Sequence, residues 1–105
     1  MIYVIGAVTD MDALNRQAFE AVRDAVRETH PAEDVVIPHD HIPADATWQE
    51  AMRASIRKLT EADVVCVVQQ PQLATSRGYQ LESLIAKALN MPRLFINPDV
   101  GGGSQ

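Results

Sequence analysis

The chain has 105 residues, 47% of them hydrophobic, with 14 acidic side chains against 9 basic ones. A chain of this size closes over one hydrophobic core, burying roughly 65% of its unfolded surface. The acidic balance speaks against binding nucleic-acid polymers or anionic membranes, which needs a basic face.

The opening segment MIYVIGAVTD lacks the basic start and long apolar centre of a signal peptide. No apolar run approaches the ~20 residues of a membrane span. The single cysteine, Cys66, excludes an internal disulfide and fits a reducing compartment. We therefore expect a cytoplasmic protein with one domain over residues 1–100 and a flexible tail, GGGSQ, over 101–105.

Four runs rich in β-branched residues alternate with three amphipathic segments. The first run, Ile2–Val8, leads to a helix starting near Asp10 or Asp12. Leu14, Ala18, Phe19, Val22 and Val26 share one stripe of that helix, and Pro31 marks its end. A second strand is expected over Asp34–His39. Thr47 and Glu50 then have capping-box spacing, and Trp48, Met52, Ile56 and Leu59 repeat at helical intervals behind them. Asp63–Gln69, with VVCVV at its centre, reads as a strand buried on both faces, which makes Cys66 a structural thiol. The third helix starts around Ser76 and places Leu81, Ile85 and Leu89 inward, with Ala88 beside them. Asn90 and Pro92 end it, and Arg93–Asn97 forms the last strand.

Strand–helix–strand repeated three times predicts an α/β fold. We expect a flavodoxin- or Rossmann-like three-layer sandwich with a four-stranded parallel sheet in the order 2-1-3-4.

In such a sheet the strand-to-helix loops lie along one edge, and ligands bind there. That edge collects Thr9, Asp10, His39, Asp40, His41, Gln70, Ser76, Arg77 and Asn97. The motif PHDHIP pairs His39 with His41 but offers no third metal ligand, so no metal site is expected. GAVTD holds one glycine, Gly6, which suggests a tight turn or a close backbone approach. It is neither a dinucleotide nor an ATP fingerprint, and no cofactor is expected. At the head of the third helix, Ser76 can cap the free N–H groups, and with Arg77 it can also hold an anion. Glu82 stands among apolar neighbours one turn beyond Gly78, whose missing side chain opens space beside the carboxylate. An acid in that position either reaches out to solvent or lines a site.

The segments IYVIG, TWQEAMRASIRKLTEADVV and SRGYQLESLIAKALNMP resemble the nucleoside 2-deoxyribosyltransferase-like superfamily over nearly the whole chain. The most specific piece is serine, any residue, glycine, three further residues and glutamate, directly after the third strand. The resemblance implies that Glu82 is a nucleophile, that Tyr3 orients it and that Ser76 meets the 5′ end of the sugar. A serine there is similar to the deoxynucleoside 5′-monophosphate N-glycosidases, where the transferases have aspartate, and so favours a phosphorylated substrate. The superfamily's second carboxylate, an aspartate in the second helix, falls at Ser55, which cannot act as a carboxylic acid. The small polar and arginine contacts after the first strand become Ala7 and Thr9. His39, Asp40 or His41, on the ligand edge, are the remaining candidates to protonate a leaving base.

The expected function is cleavage or transfer at the N-glycosidic bond of a nucleoside or its 5′-monophosphate. Glu82 and Tyr3 would act in the chemistry, and Gly6, Ser55, Ser76, Arg77, Gly78 and Asn97 in binding. The alternative is a nucleotide-binding or regulatory module that keeps the pocket without the chemistry. A receiver-type adaptor is disfavoured, because the acidic cluster and acceptor aspartate of that type are missing. The partners expected are a small-molecule nucleoside or nucleotide and further copies of the chain, in a homodimer or larger assembly that Asn97 would help complete.

Overall fold

A computed structural model describes residues 1–8 and 13–98, with the side chains of 13–15 excepted. Thr9, Asp10, Asp12, the Leu14 side chain and the expected tail over 101–105 lie outside the described residues. The elements alternate as predicted. They are β1 (Ile2–Ile5), α1 (Ala13–Thr29), β2 (Val35–Val36), α2 (Trp48–Glu61), β3 (Val64–Val68), α3 (Arg77–Ala88) and β4 (Arg93–Ile96). The sheet runs β2-β1-β3-β4, and every pairing is parallel.

Side chains alternate across a strand, and here that alternation divides the core into two layers. Ile2 and Val4 of β1, with Cys66 and Val68 of β3, meet Phe19, Val22 and Val26 of α1. Tyr3, Ile5, Val65 and Val67 point the opposite way, onto Leu59 of α2 and Ala86 of α3. Burial of this kind contributes about 1.5–3 kcal/mol for each large apolar side chain. It also pushes the Cys66 thiol up to about 12, which makes it an inert core residue.

The helix ends follow local chemistry. Thr47 and Glu50 each bond the other's backbone N–H, at 3.1 and 2.9 Å. Asn90 takes φ of 56°, a left-handed conformation that asparagine tolerates. Its N–H reaches the Lys87 carbonyl, and that of Met91 reaches Ala86, which closes α3 before Pro92.

Several expectations need correction. The strand expected over Asp34–His39 keeps only Val35–Val36, because Pro38 has no N–H for a ladder and opens a 3-10 turn over Pro38–Asp40. The strand expected to run to Val8 stops at Ile5, where its β2 neighbour has already ended and Gly6 is a poor strand former. β3 and β4 differ from expectation only at their ends, where strand pairing frays. The inward stripe of α3 is not Leu81–Leu89: those two are 37% and 55% exposed, and Ala88 is exposed as well. Glu82 and Ala86 are the buried residues of this helix. In α2, Leu59 is buried, Met52 and Ile56 are half-buried, and Trp48 is 43% exposed. Among the described residues no helix is long and apolar enough to cross a membrane.

Candidate functional site

Tyr3 is the second residue of β1, so its ring points into the α2/α3 layer, where it is fully buried. Its hydroxyl lies 2.8 Å from Ser55 Oγ and 3.1 Å from His41 Nε2. Ser55, on the buried side of α2, donates its Oγ–H to Glu82 Oε2. Four elements of the fold therefore supply one hydrogen-bonded row: His41 from the turn after β2, Tyr3, Ser55 and Glu82.

The donors in this row can be assigned by counting protons. A hydroxyl has one proton. With Glu82 ionised, the serine proton goes to the carboxylate. Ser55 then accepts from Tyr3, and Tyr3 accepts from an Nε2–H on His41.

Electrostatics set the charge states. Glu82 is only 5% exposed, and this burial raises its carboxyl to about 7, against the opposing pull of the Ser55 hydrogen bond. The Tyr3 hydroxyl is raised by its own burial and stays neutral. His41, half-buried, is lowered by desolvation first and by Lys58 second, against Asp40 and Glu61.

Beside Glu82 lies a cavity of about 520 Å³, bounded by Gly6, Ser55, Ser76, Arg77, Gly78 and Glu82, with Trp48 and the Ile42–Pro43 turn among the apolar walls. Its volume is that of a small-molecule site. At the rim the Arg77 guanidinium lies over the Trp48 ring, 4.4 Å from its centre. Ser76 caps α3 by accepting the Tyr79 N–H at 3.2 Å, and it also faces the cavity, so both expected roles remain compatible.

Other residues of the ligand edge stand apart. A side chain at Gly78 would meet Met52 Sδ at 3.1 Å, so this glycine, on the cavity wall with Glu82, also lets α2 and α3 approach. His39 is buried against the Phe19 ring, with centroids 4.8 Å apart. Asp40 lies 3.6 Å from Arg23. His39, Asp40 and His41 lie outside the cavity wall, as do Gln70 and Asn97. Asp63 sits far from the site, with its carboxylate 2.7 Å from the Met1 amino group. Among the described residues no cluster of three or more His, Cys, Asp or Glu could hold a metal ion.

Trp48, which opens the apolar repeat of the second helix, is a rim residue. The contact between His41 and Tyr3 was missed, because it depends on how the turn after β2 folds. A period-two reading of β1 does place Tyr3 on the α2/α3 face.

A family model described as a domain of unknown function, DUF4406, matches residues 1–95. The chain belongs to the DUF4406 family. The match contains every residue of the cavity wall and the whole row from His41 to Glu82. No curated protein and no solved structure matches this DUF4406 chain.

Proposed function

We propose that this DUF4406 domain cleaves or transfers at the N-glycosidic bond of a deoxynucleoside or its 5′-monophosphate, with Glu82 as the nucleophile. The observation that carries this reading is a buried carboxylate on a nucleotide-sized cavity, held from behind by Ser55. Ser55 occupies Oε2 and leaves Oε1 for attack on C1′. The carboxylate forms an ester with the sugar as the bond to the base breaks and its electron pair leaves with the base. Water, or another base, then releases the sugar. Ser76 and Arg77, at the open end of α3, suit a 5′-phosphate.

Among the described residues of the wall, Glu82 is the one acid. That favours, as a second reading, a binding module without chemistry, since departure of a base usually needs a proton donor.

Incubation with deoxynucleosides and their 5′-monophosphates, followed by chromatography, separates the two readings. Release of free base is expected, with monophosphates preferred. Arg77→Ala is expected to raise KM for monophosphates about tenfold, the loss of one charge-assisted bond, while leaving that for nucleosides nearly unchanged. Tight binding without release would select the binding module.

A further inference from the structure

The row His41–Tyr3–Ser55–Glu82 has one property that a merely positional network lacks: every member between its ends is a hydroxyl, able to donate and accept in the same instant. Its spacings are 3.1 Å from His41 to Tyr3 and 2.8 Å from Tyr3 to Ser55, followed by the Ser55–Glu82 bond. One end, His41, is half-buried and keeps access to solvent. The other end, Glu82, is nearly closed off, and a ligand in the cavity would cover it further.

We propose that these four side chains form a proton relay, in which a proton taken up at His41 Nδ1 is delivered to Glu82 Oε2. The transfer balances in four linked movements. Nδ1 gains a proton as Nε2 passes its own to Tyr3 Oη. Tyr3 passes its former proton to Ser55 Oγ, and Ser55 passes its proton to the carboxylate. The imidazole ends neutral in the opposite tautomer, both hydroxyls end neutral, and Glu82 ends as the acid. No phenolate forms, in keeping with the buried Tyr3 hydroxyl. His41 and Ser55 are thus positioning residues that carry the proton to and from Glu82, and the His41 imidazole, outside the cavity wall, does so without touching a ligand.

The groups around both ends are compatible with this direction. His41 is faced by Asp40 on its own turn, by Lys58 and Glu61 of α2, and by Tyr3 of β1. Glu82 is faced by Ser55 of α2 and shares the cavity with Arg77 of its own helix. Burial raises Glu82 and lowers His41. Glu82 therefore takes up its proton while the imidazole is still neutral.

The relay needs no substrate, so its test does not depend on the glycosidic reading. Two-bond ¹H–¹⁵N spectra of ¹⁵N-histidine-labelled, ligand-free protein, assigned with His41→Gln, report the tautomer of each imidazole. On the alkaline side of the Glu82 titration, neutral His41 is expected as the Nε2–H form. On the acid side, before the imidazole itself charges, it is expected as the Nδ1–H form. The switch should share its midpoint with the Glu82 carboxyl, followed by ¹³C. Ser55→Ala should abolish the switch, Ser55→Thr should retain it, and Tyr3→Phe provides a second interruption should the alanine variant fold poorly. A tautomer constant through the Glu82 titration would overturn the relay, as would a switch that survives both interruptions. A clean switch without base release would leave the relay standing and remove the enzymatic reading.

Discussion

Glu82→Gln is expected to abolish base release and, in mildly alkaline solution, to make the fold more stable. The loss of activity follows from the nucleophile: an amide does not form the glycosyl ester, and a loss on the order of 10⁴-fold in kcat is expected for such a group. The gain in stability follows from proton linkage. Burial holds the carboxyl at about 7 in the folded chain, against 4.5 for an ordinary glutamate. Below the lower value both states are protonated and the charge has no effect on folding. As pH rises between the two, the unfolded chain gives up its proton and the folded one does not, so stability falls. Above the upper value the cost is complete, about 3 kcal/mol. Glutamine keeps the shape and an acceptor for Ser55 but carries no charge. Its melting temperature should exceed that of the parent by about 10 °C on the alkaline side, and the difference should close toward acid pH. Thermal unfolding of both proteins across that range measures this directly. Equal melting temperatures at alkaline pH would mean that Glu82 is better solvated than its burial implies. Base release that survives the substitution would remove Glu82 from the chemistry.

Gly6→Val is expected to be the most damaging single change at the mouth of β1. A Cβ there would lie 3.0 Å from Phe19 Cζ and 3.1 Å from Val68 Cβ. Both neighbours are fully buried: the Phe19 ring is enclosed by the α1 layer, and Val68 Cβ is fixed to the backbone of β3. Neither can retreat as the tip of a flexible chain could. Overpacking of this kind costs about 1–3 kcal/mol, or a fall in melting temperature of about 5 °C or more. Because Gly6 also lines the cavity, the displaced strand end would alter the cavity wall. Denaturant titration should show a lowered midpoint with an unchanged slope. A midpoint equal to that of the parent would show slack between α1 and β3.

The sheet was legible in the sequence because its two inner strands, β1 and β3, are covered on both faces, which leaves continuous apolar runs such as VVCVV. Their limits were less legible, since a run does not record where its neighbour stops. Val8 fell outside the sheet for that reason, and His39 because Pro38 cannot donate to the ladder. The α3 stripe failed differently. Counting apolar residues turned Leu81 and Leu89 inward, whereas the helix buries Glu82, whose partners come from elsewhere in the chain. Ser55 is 27 residues away from it, and Tyr3 is 52 residues from Ser55. No local pattern carries that information. The spacing from Ser76 through Gly78 to Glu82 did mark the segment, because the cap, the close helix approach and the carboxylate all belong to one helix. His41 escaped notice as a partner of Tyr3, since a 3-10 turn beginning at Pro38 brings it there.

The rim pair of Arg77 and Trp48 has an optical consequence. The chain has one tryptophan, and its indole is part exposed, with a cation resting on its face. An anionic ligand that draws the guanidinium away would leave the ring in a different field and a different degree of wetness. The emission of the native protein would then carry a label-free signal of such a ligand, with no second indole to dilute it.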